Sequence, residues 1–320
     1  MNYFYFSPSG DGWQNLAVDE FFLNTLQPED FLLYFYVNRK AVIIGQNQNA
    51  WRECNTEAMD RDGVQLVRRV TGGGAVYHDS GNLNFSFIAG KDRYDVSRQC
   101  GMILRAVQSF GIPCSLSGRN DLLADGRKFS GNAFCARGNN RQHHGTLLLN
   151  ADLSIMQRYL NVDPAKLRSK GVKSVTSRVC NLSEFCPSLT QAQLAEAVRS
   201  SCEAEIGSTE PYRFRESDVP ALEALYQKHS SWEWRMGRSP EFDYSVEGRF
   251  PWGGVQLCLT VRSGEIADAV LFTDALDTAL PEKIRAALMG SRFEPEKSAL
   301  LLRQSQDERL ADIASLFEAS

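Results

Sequence analysis

Apolar and polar positions recur along this chain in periods that change several times. In residues 15–26 the apolar side chains at 16, 18, 22, 23 and 26 have the spacing of a helix with one buried face, capped by Asn15. Two apolar, β-rich runs follow at 31–37 and 41–44, separated by polar Asn38-Arg39-Lys40, and that pattern predicts a hairpin. The amide-rich stretch 45–49 closes the second run as a turn. Residues 81–87 alternate strictly: Asn82, Asn84 and Ser86 share one face, while Leu83, Phe85 and Phe87 face a core. Residues 95–110 read as a helix, stopped by Gly111 and Pro113.

Asp125-Gly126 predicts a two-residue hairpin between two short strands, and 143–150 forms another strand. Helices are expected at 154–160, at 191–206 behind a Thr190 cap, and at 218–229. A loop rich in glycine, proline and charge around 237–240 suggests a division into domains of residues 1–240 and 241–320. In the second, 254–261 pairs with 266–272 across Ser263-Gly264, and helices near 281–289 and 306–318 complete it. A length of 320 residues supports two domains, since one core rarely exceeds about 250–300 residues.

Composition narrows the function. Hydrophobic residues at 43% and charged residues at 23% are ordinary for a globular protein. A net charge of -4 lacks the basic face that general nucleic-acid binding needs. The first residues carry no basic-then-apolar leader, and no run is long enough to span a bilayer, so a cytoplasmic protein without membrane contact is expected. Eight scattered cysteines without Cys-x-x-Cys fit reduced thiols.

The chemistry concentrates at Arg68-Arg69-Val70-Thr71-Gly72-Gly73-Gly74-Ala75-Val76-Tyr77-His78-Asp79. Three glycines let a backbone approach a ligand and turn its N–H groups to an anion, and two adjacent arginines suit a phosphate or carboxylate. Lys128 follows the 125–126 turn, and alternation puts Ser130 and Asn132 on its face. A lysine held there could stabilise charge developing on a phosphate, and Asp121 on the partner strand could bind Mg²⁺. His143 and His144 point to opposite faces; His144, sharing parity with Thr146, is the one expected in the pocket. The glycine run fits neither a dinucleotide fingerprint nor a P-loop, because Tyr77 and a strand follow and no Gly-Lys-Ser/Thr closes it.

Taken in order, 68–79, Gly-Asn-Leu-Asn-Phe-Ser-Phe (81–87), Gly-Arg-Asn-Asp-Leu (118–122), Arg-Lys-Phe-Ser-Gly-Asn-Ala (127–133) and His-His-Gly-Thr-Leu-Leu (143–148) resemble the lipoate–protein ligases of the biotin/lipoate ligase superfamily. The likeness continues through 170–175, 178–182, Trp234-Arg235-Met236-Gly237 and Ser239-Pro240-Glu241-Phe242. It implies an α+β fold: a large domain with mixed sheets like class II aminoacyl-tRNA synthetases and biotin–lipoate ligases, plus a small, mobile α+β accessory domain. It also implies two steps. Lipoate (or octanoate) and Mg-ATP give lipoyl-AMP and pyrophosphate; then a lysine ε-amine takes the acyl group. Acceptors of that family are lipoyl domains of 2-oxoacid dehydrogenase acyltransferase subunits and the glycine-cleavage H protein, and a monomer is expected.

Carried over residue by residue, Arg69, Gly74, Ala75, Val76, Tyr77 and Lys128 hold ATP. Lys128, Arg68, Thr71, Gly73, His78 and His144 hold lipoate; Lys128 is catalytic; Asp121 holds the metal. Val42, Ile44 and Val76 are candidates for the apolar slot. Cys135, after Phe134, stands where some relatives carry a basic or amide residue. Two rivals remain: an acyl transferase working without ATP through a thioester on Cys135 or Cys180, and a non-catalytic lipoate- or adenylate-binding protein.

Overall fold

A computed structural model describes residues 1–118, 121–161, 179–237, 242–262 and 264–317. The matches at 119–120, 170–175, Arg178 and 239–241, and the domain boundary near 240, lie outside them or at their edge.

An eight-stranded mixed sheet runs in the order Glu210–Pro211, Asn2–Phe6, Phe31–Tyr36, Asn82–Gly90, Asn140–Leu148, Arg127–Arg137, Asp121–Ala124, Cys114–Ser117. Its first two pairings are parallel and the rest antiparallel. Phe31–Tyr36 is an unbroken apolar run because both its faces are covered: Phe31, Leu33 and Phe35 enter one core, Leu32, Tyr34 and Tyr36 another. Asn82–Gly90 alternates as expected, with Leu83, Phe85 and Phe87 in the first core. The helices Val96–Gln108 and Gln191–Ile206 cover that core, and Thr190 caps the second of them.

The other face is covered by the helix Gly12–Thr25, which differs from expectation in two ways. Its cap is Asp11, whose carboxylate accepts from the N–H groups of Trp13 and Gln14. It is buried nearly all round, from Asn15 to Leu23, because the helix Val219–Ser230 packs on its outer side. Glu20 within it is 2% exposed and meets Arg137, Lys228 and His229 at 2.7–2.8 Å. Those partners outweigh desolvation and hold its carboxyl down at about 2.

Residues 31–36 and 40–44 do not form the expected hairpin. Lys40–Ile44 is the centre of a second, three-stranded sheet between Gln65–Arg68 and Val76–Asp79. The polar residue read as a turn, Asn38, is fully buried and turned inward. A third sheet of Tyr244–Phe250, Gly253–Arg262 and Glu265–Thr273 packs with the helices Leu280–Leu288, Pro295–Arg303 and Glu308–Ala314 around its own core. Of these, Tyr244–Phe250 and Pro295–Arg303 carry no expectation from the sequence pattern. The whole is the expected α+β arrangement with mixed sheets and a small C-terminal unit. Among the described residues no helix is long and apolar enough to cross a membrane.

Candidate functional site

The strand Gln65–Arg68 delivers both arginines into the glycine turn, where their donors are taken by main chain. Arg68 is 1% exposed and bonds the carbonyls of Gly45, Gln46, Gln48, Trp234 and Arg235 at 2.7–3.2 Å. It braces the turn from behind and does not line the cavity. Arg69 does line it, but its guanidinium bonds Gly72, Gly74 and Ile43 carbonyls at 2.8–3.2 Å. Burial brings its pKa down to about 10. The expected forked grip on an anion is thus replaced by a forked grip on the loop itself.

Gly73 adopts φ +96°, which favours glycine. Its N–H donates to the Ala275 carbonyl at 3.1 Å, and Leu276 lines the cavity beside it. The C-terminal unit therefore sits on the turn whose N–H groups suit an anion. It is also joined there through Thr273 N–H to the Asn47 carbonyl (2.9 Å) and Arg52 to Glu247 (2.7 Å).

A cavity of about 370 Å³ opens in front of this turn. Its lining is mainly apolar, from Leu16, Ile43, Val76, Leu148 and Met156, and it includes Gly73 to His78, Lys128 and His144. Val42 and Ile44 point away into another cluster; Ile43, of opposite parity, faces the slot. Tyr77 stacks on Tyr159 with ring centroids 5.5 Å apart.

Lys128 follows the turn at Asp125 (φ 48°) and Gly126 (φ 70°), the doubly positive geometry of a tight hairpin. Its ammonium meets Asp121 Oδ1 at 2.7 Å. The register slips beside it, so that Leu122 faces Ser130 while Leu123 faces Lys128. Asn132 lines the cavity with Lys128 as expected, but beyond this bulge Gly131 and Ala133 line it too, and Ser130 is buried outside the lining. Asp121 is a single carboxylate, and among the described residues no three His, Cys, Asp or Glu side chains converge on a metal position.

The two histidines part as their parity requires. His143 lies among Phe85, Phe87 and Phe134, bonded to Gln99 (3.0 Å) and Asn132 (2.9 Å). His144 lines the cavity, its Nδ1 on Asp19 (3.0 Å) and its Nε2 on the Thr71 hydroxyl (2.8 Å). Thr71 thus belongs to the wall's support and is fully buried. Asp19, Asn38, Tyr36 and Leu276 escaped the sequence reading; an Asp-Glu pair inside an apolar helix was the one signal available for Asp19.

Burial holds His78 and His143 at about 3, far below the usual 6.5. Both stay neutral in the folded chain while the unfolded chain protonates them. Their contribution is therefore complete above pH 6.5 and is lost as pH falls toward 3, at about 1.4 kcal/mol per pH unit for each. The urea midpoint is expected to drop steeply between pH 6.5 and 5; a flat profile there would contradict the buried neutral pair.

The sequence matches the family described as the lipoyl protein ligase A/B catalytic domain over residues 11–203, and the bacterial lipoate protein ligase C-terminus over 239–313. Among solved structures it is similar to P. falciparum LipL1 in complex with lipoate, at 27% identity over 98% of both chains, with a TM-score of 0.85. It is also similar to a bi-partite lipoate protein ligase of Thermoplasma acidophilum, studied with its E2 lipoyl domain: 27% identity, 76% of this chain and 99% of that one, TM-score 0.68. A lipoate-protein ligase A bound with ATP gives 26% identity, 74% of this chain and 98% of that one, and a TM-score of 0.65.

Proposed function

Because the chain belongs to the lipoyl protein ligase A/B catalytic-domain family and carries the C-terminal domain of the bacterial lipoate protein ligases, we propose that it activates lipoate with ATP and passes the acyl group to a protein lysine. In the first step a carboxylate oxygen of lipoate attacks the α-phosphorus and pyrophosphate leaves, giving lipoyl-AMP. In the second the acceptor ε-amine attacks the acyl carbonyl and AMP leaves. Acceptors are lipoyl domains of 2-oxoacid dehydrogenase acyltransferase subunits or a glycine-cleavage H protein.

One observation carries this reading: a mainly apolar slot of about 370 Å³ that ends at a lysine and a glycine turn. The slot suits an alkyl chain, and Lys128 suits the junction where carboxylate and α-phosphate meet. The main chain of Gly74, Ala75, Val76 and Tyr77, with Arg69 bracing it, takes the nucleotide. His78 and His144 face the acyl chain; Thr71 and Gly73 shape the turn. Arg68 acts through that turn, since its donors already hold main-chain carbonyls. Asp121 would supply one carboxylate to an Mg²⁺ ion accompanying the nucleotide, and that ion would neutralise phosphate charge. Gly73 N–H reaches a phosphate once Ala275 withdraws, so residues 241–320 act as a mobile accessory domain. The protein is proposed to act as a monomer in the cytoplasm.

Lipoate, radiolabelled ATP and an apo lipoyl domain test this directly: AMP release with a modified acceptor is expected. Acyl transfer without ATP would support the thioester route, and binding without turnover a non-catalytic binding protein. Burial raises the thiols of Cys135 and Cys180, which disfavours the thiolate a nucleophile needs. Cys135→Ser and Cys180→Ser are accordingly expected to keep most ligase activity, and loss of activity in either would revive the thioester mechanism.

A further inference from the structure

Adenylate formation needs two parts of this molecule that stand on different sheets. Lys128 is on Arg127–Arg137 of the eight-stranded sheet, whereas the glycine turn joins Gln65–Arg68 to Val76–Asp79 of the three-stranded one. In-line attack at phosphorus tolerates little error in the distance between them.

The Thr71 hydroxyl joins the two sheets directly. Thr71 precedes the three glycines, is fully buried, and places its hydroxyl 2.8 Å from His144 Nε2 on Asn140–Leu148. Its carbonyl accepts Gln46 N–H at 2.9 Å, so the residue is held on both sides. His144 in turn pairs with Ala133, and the Lys128 ammonium lies against Gly131, two residues back on that strand. Two residues of strand span roughly 7 Å. The route from turn to lysine is therefore one hydrogen bond and a short length of sheet.

That hydrogen bond depends on where the ring hydrogen of His144 sits, and Asp19 decides it. Asp19 Oδ2 lies 3.0 Å from His144 Nδ1. A carboxylate oxygen only accepts, so Nδ1 carries the hydrogen. In the neutral ring Nε2 then keeps a lone pair, and the Thr71 hydroxyl donates to it. Asp19 is 1% exposed inside an apolar helix, and its Oδ1 has no partner among the described residues. Burying a carboxylate so sparsely partnered costs stability, so packing alone does not account for this residue. Neither Asp19 nor Thr71 lines the cavity.

Resting on the ligase reading above, we propose that Asp19 is a positioning residue: acting through His144, it orients the Thr71 hydroxyl and thereby holds the glycine turn at a fixed distance from Lys128. Asp19 touches no substrate. Its effect falls on the rate of adenylate formation and leaves the capture of lipoate alone.

The test compares the wild type, Asp19→Asn, Thr71→Val and the double variant. It reads kcat in lipoate-dependent ATP–pyrophosphate exchange, and lipoate affinity by calorimetry without ATP. In Asp19→Asn the amide nitrogen turns to Nδ1, the ring hydrogen moves to Nε2, and the Thr71 hydroxyl loses its acceptor. Each single variant is expected to lose about tenfold or more in kcat and to keep lipoate affinity within about twofold. The double variant should be no worse than the worse single one, because both substitutions break the same link. Thr71→Ser, which retains the hydroxyl, should keep most of the rate. Nitrogen-15 spectra should show the His144 hydrogen on Nδ1 in the wild type and on Nε2 in Asp19→Asn.

Near-normal kcat in either single variant, losses that add in the double variant, a loss confined to lipoate affinity, or a wild-type Nδ1 without its hydrogen would each overturn the proposal. If Asp19→Asn fails to fold, Thr71→Val set against Thr71→Ser decides, together with the wild-type spectrum. A wild type that catalyses no exchange would overturn the ligase reading and this role with it. Exchange in the wild type that both single variants retain would overturn this role alone.

Discussion

Lys128→Ala is expected to lose lipoate-dependent ATP–pyrophosphate exchange by about a hundredfold or more, the scale of removing one preorganised donor from developing charge. The other cation at the turn cannot substitute for it. Each donor of Arg69 that faces the loop already holds a main-chain carbonyl, and releasing it would unfasten the turn. Lys128 instead stands partly exposed with its ammonium on the Asp121 carboxylate, a partner that can be shared with an incoming anion. The loss should fall on kcat, because the charge that Lys128 compensates grows as pyrophosphate departs. Exchange assays on a variant with an unchanged thermal melt would check this, and near-normal rates would remove Lys128 from the central role.

Gly45→Ala should be comparably severe, although Gly45 is outside the glycine run. An added Cβ would stand 2.1 Å from the Gly73 carbonyl oxygen and 3.2–3.3 Å from the carbonyl carbons of Gly73 and Gly72. These are backbone atoms of a turn pinned by Arg69 on one side and Ala275 on the other, so no side-chain rotation relieves the clash. The turn must move away from Gly45, and its N–H groups move with it. A shift of about 1 Å in a positioning element can cost about a hundredfold. The same residue's carbonyl also accepts from Arg68, at 3.2 Å, so the brace behind the turn is disturbed too. Exchange activity in Gly45→Ala is expected to be lost while the eight-stranded sheet, remote from the change, keeps its circular dichroism. Full activity in this variant would mean that the turn tolerates displacement.

Much of this was legible in the residues. The turn at Asp125-Gly126, the alternation of Asn82–Gly90, the Thr190 cap and the parity of His143 and His144 follow from local chemistry, which a linear pattern records. What escaped depends on contacts distant in sequence. Asp19 meets His144 across 125 residues, and no local period encodes that. Asn38 looked like a turn residue because its neighbours are polar, but hydrogen bonds to Asn15 and His78 draw it inward. The arginines suggested an anion because guanidinium suits one; main-chain carbonyls satisfied them first. Ser130 was misplaced on the Lys128 face because one inserted residue shifts the parity between them.

A crystal structure of the protein with bound lipoyl-adenylate addresses the account most directly. The predicted result places the Lys128 ammonium within hydrogen-bonding distance of both the acyl carbonyl and the phosphate, with the main chain of the glycine turn around the nucleotide. An adenylate bound elsewhere, with Lys128 still on Asp121 and facing solvent, would contradict it.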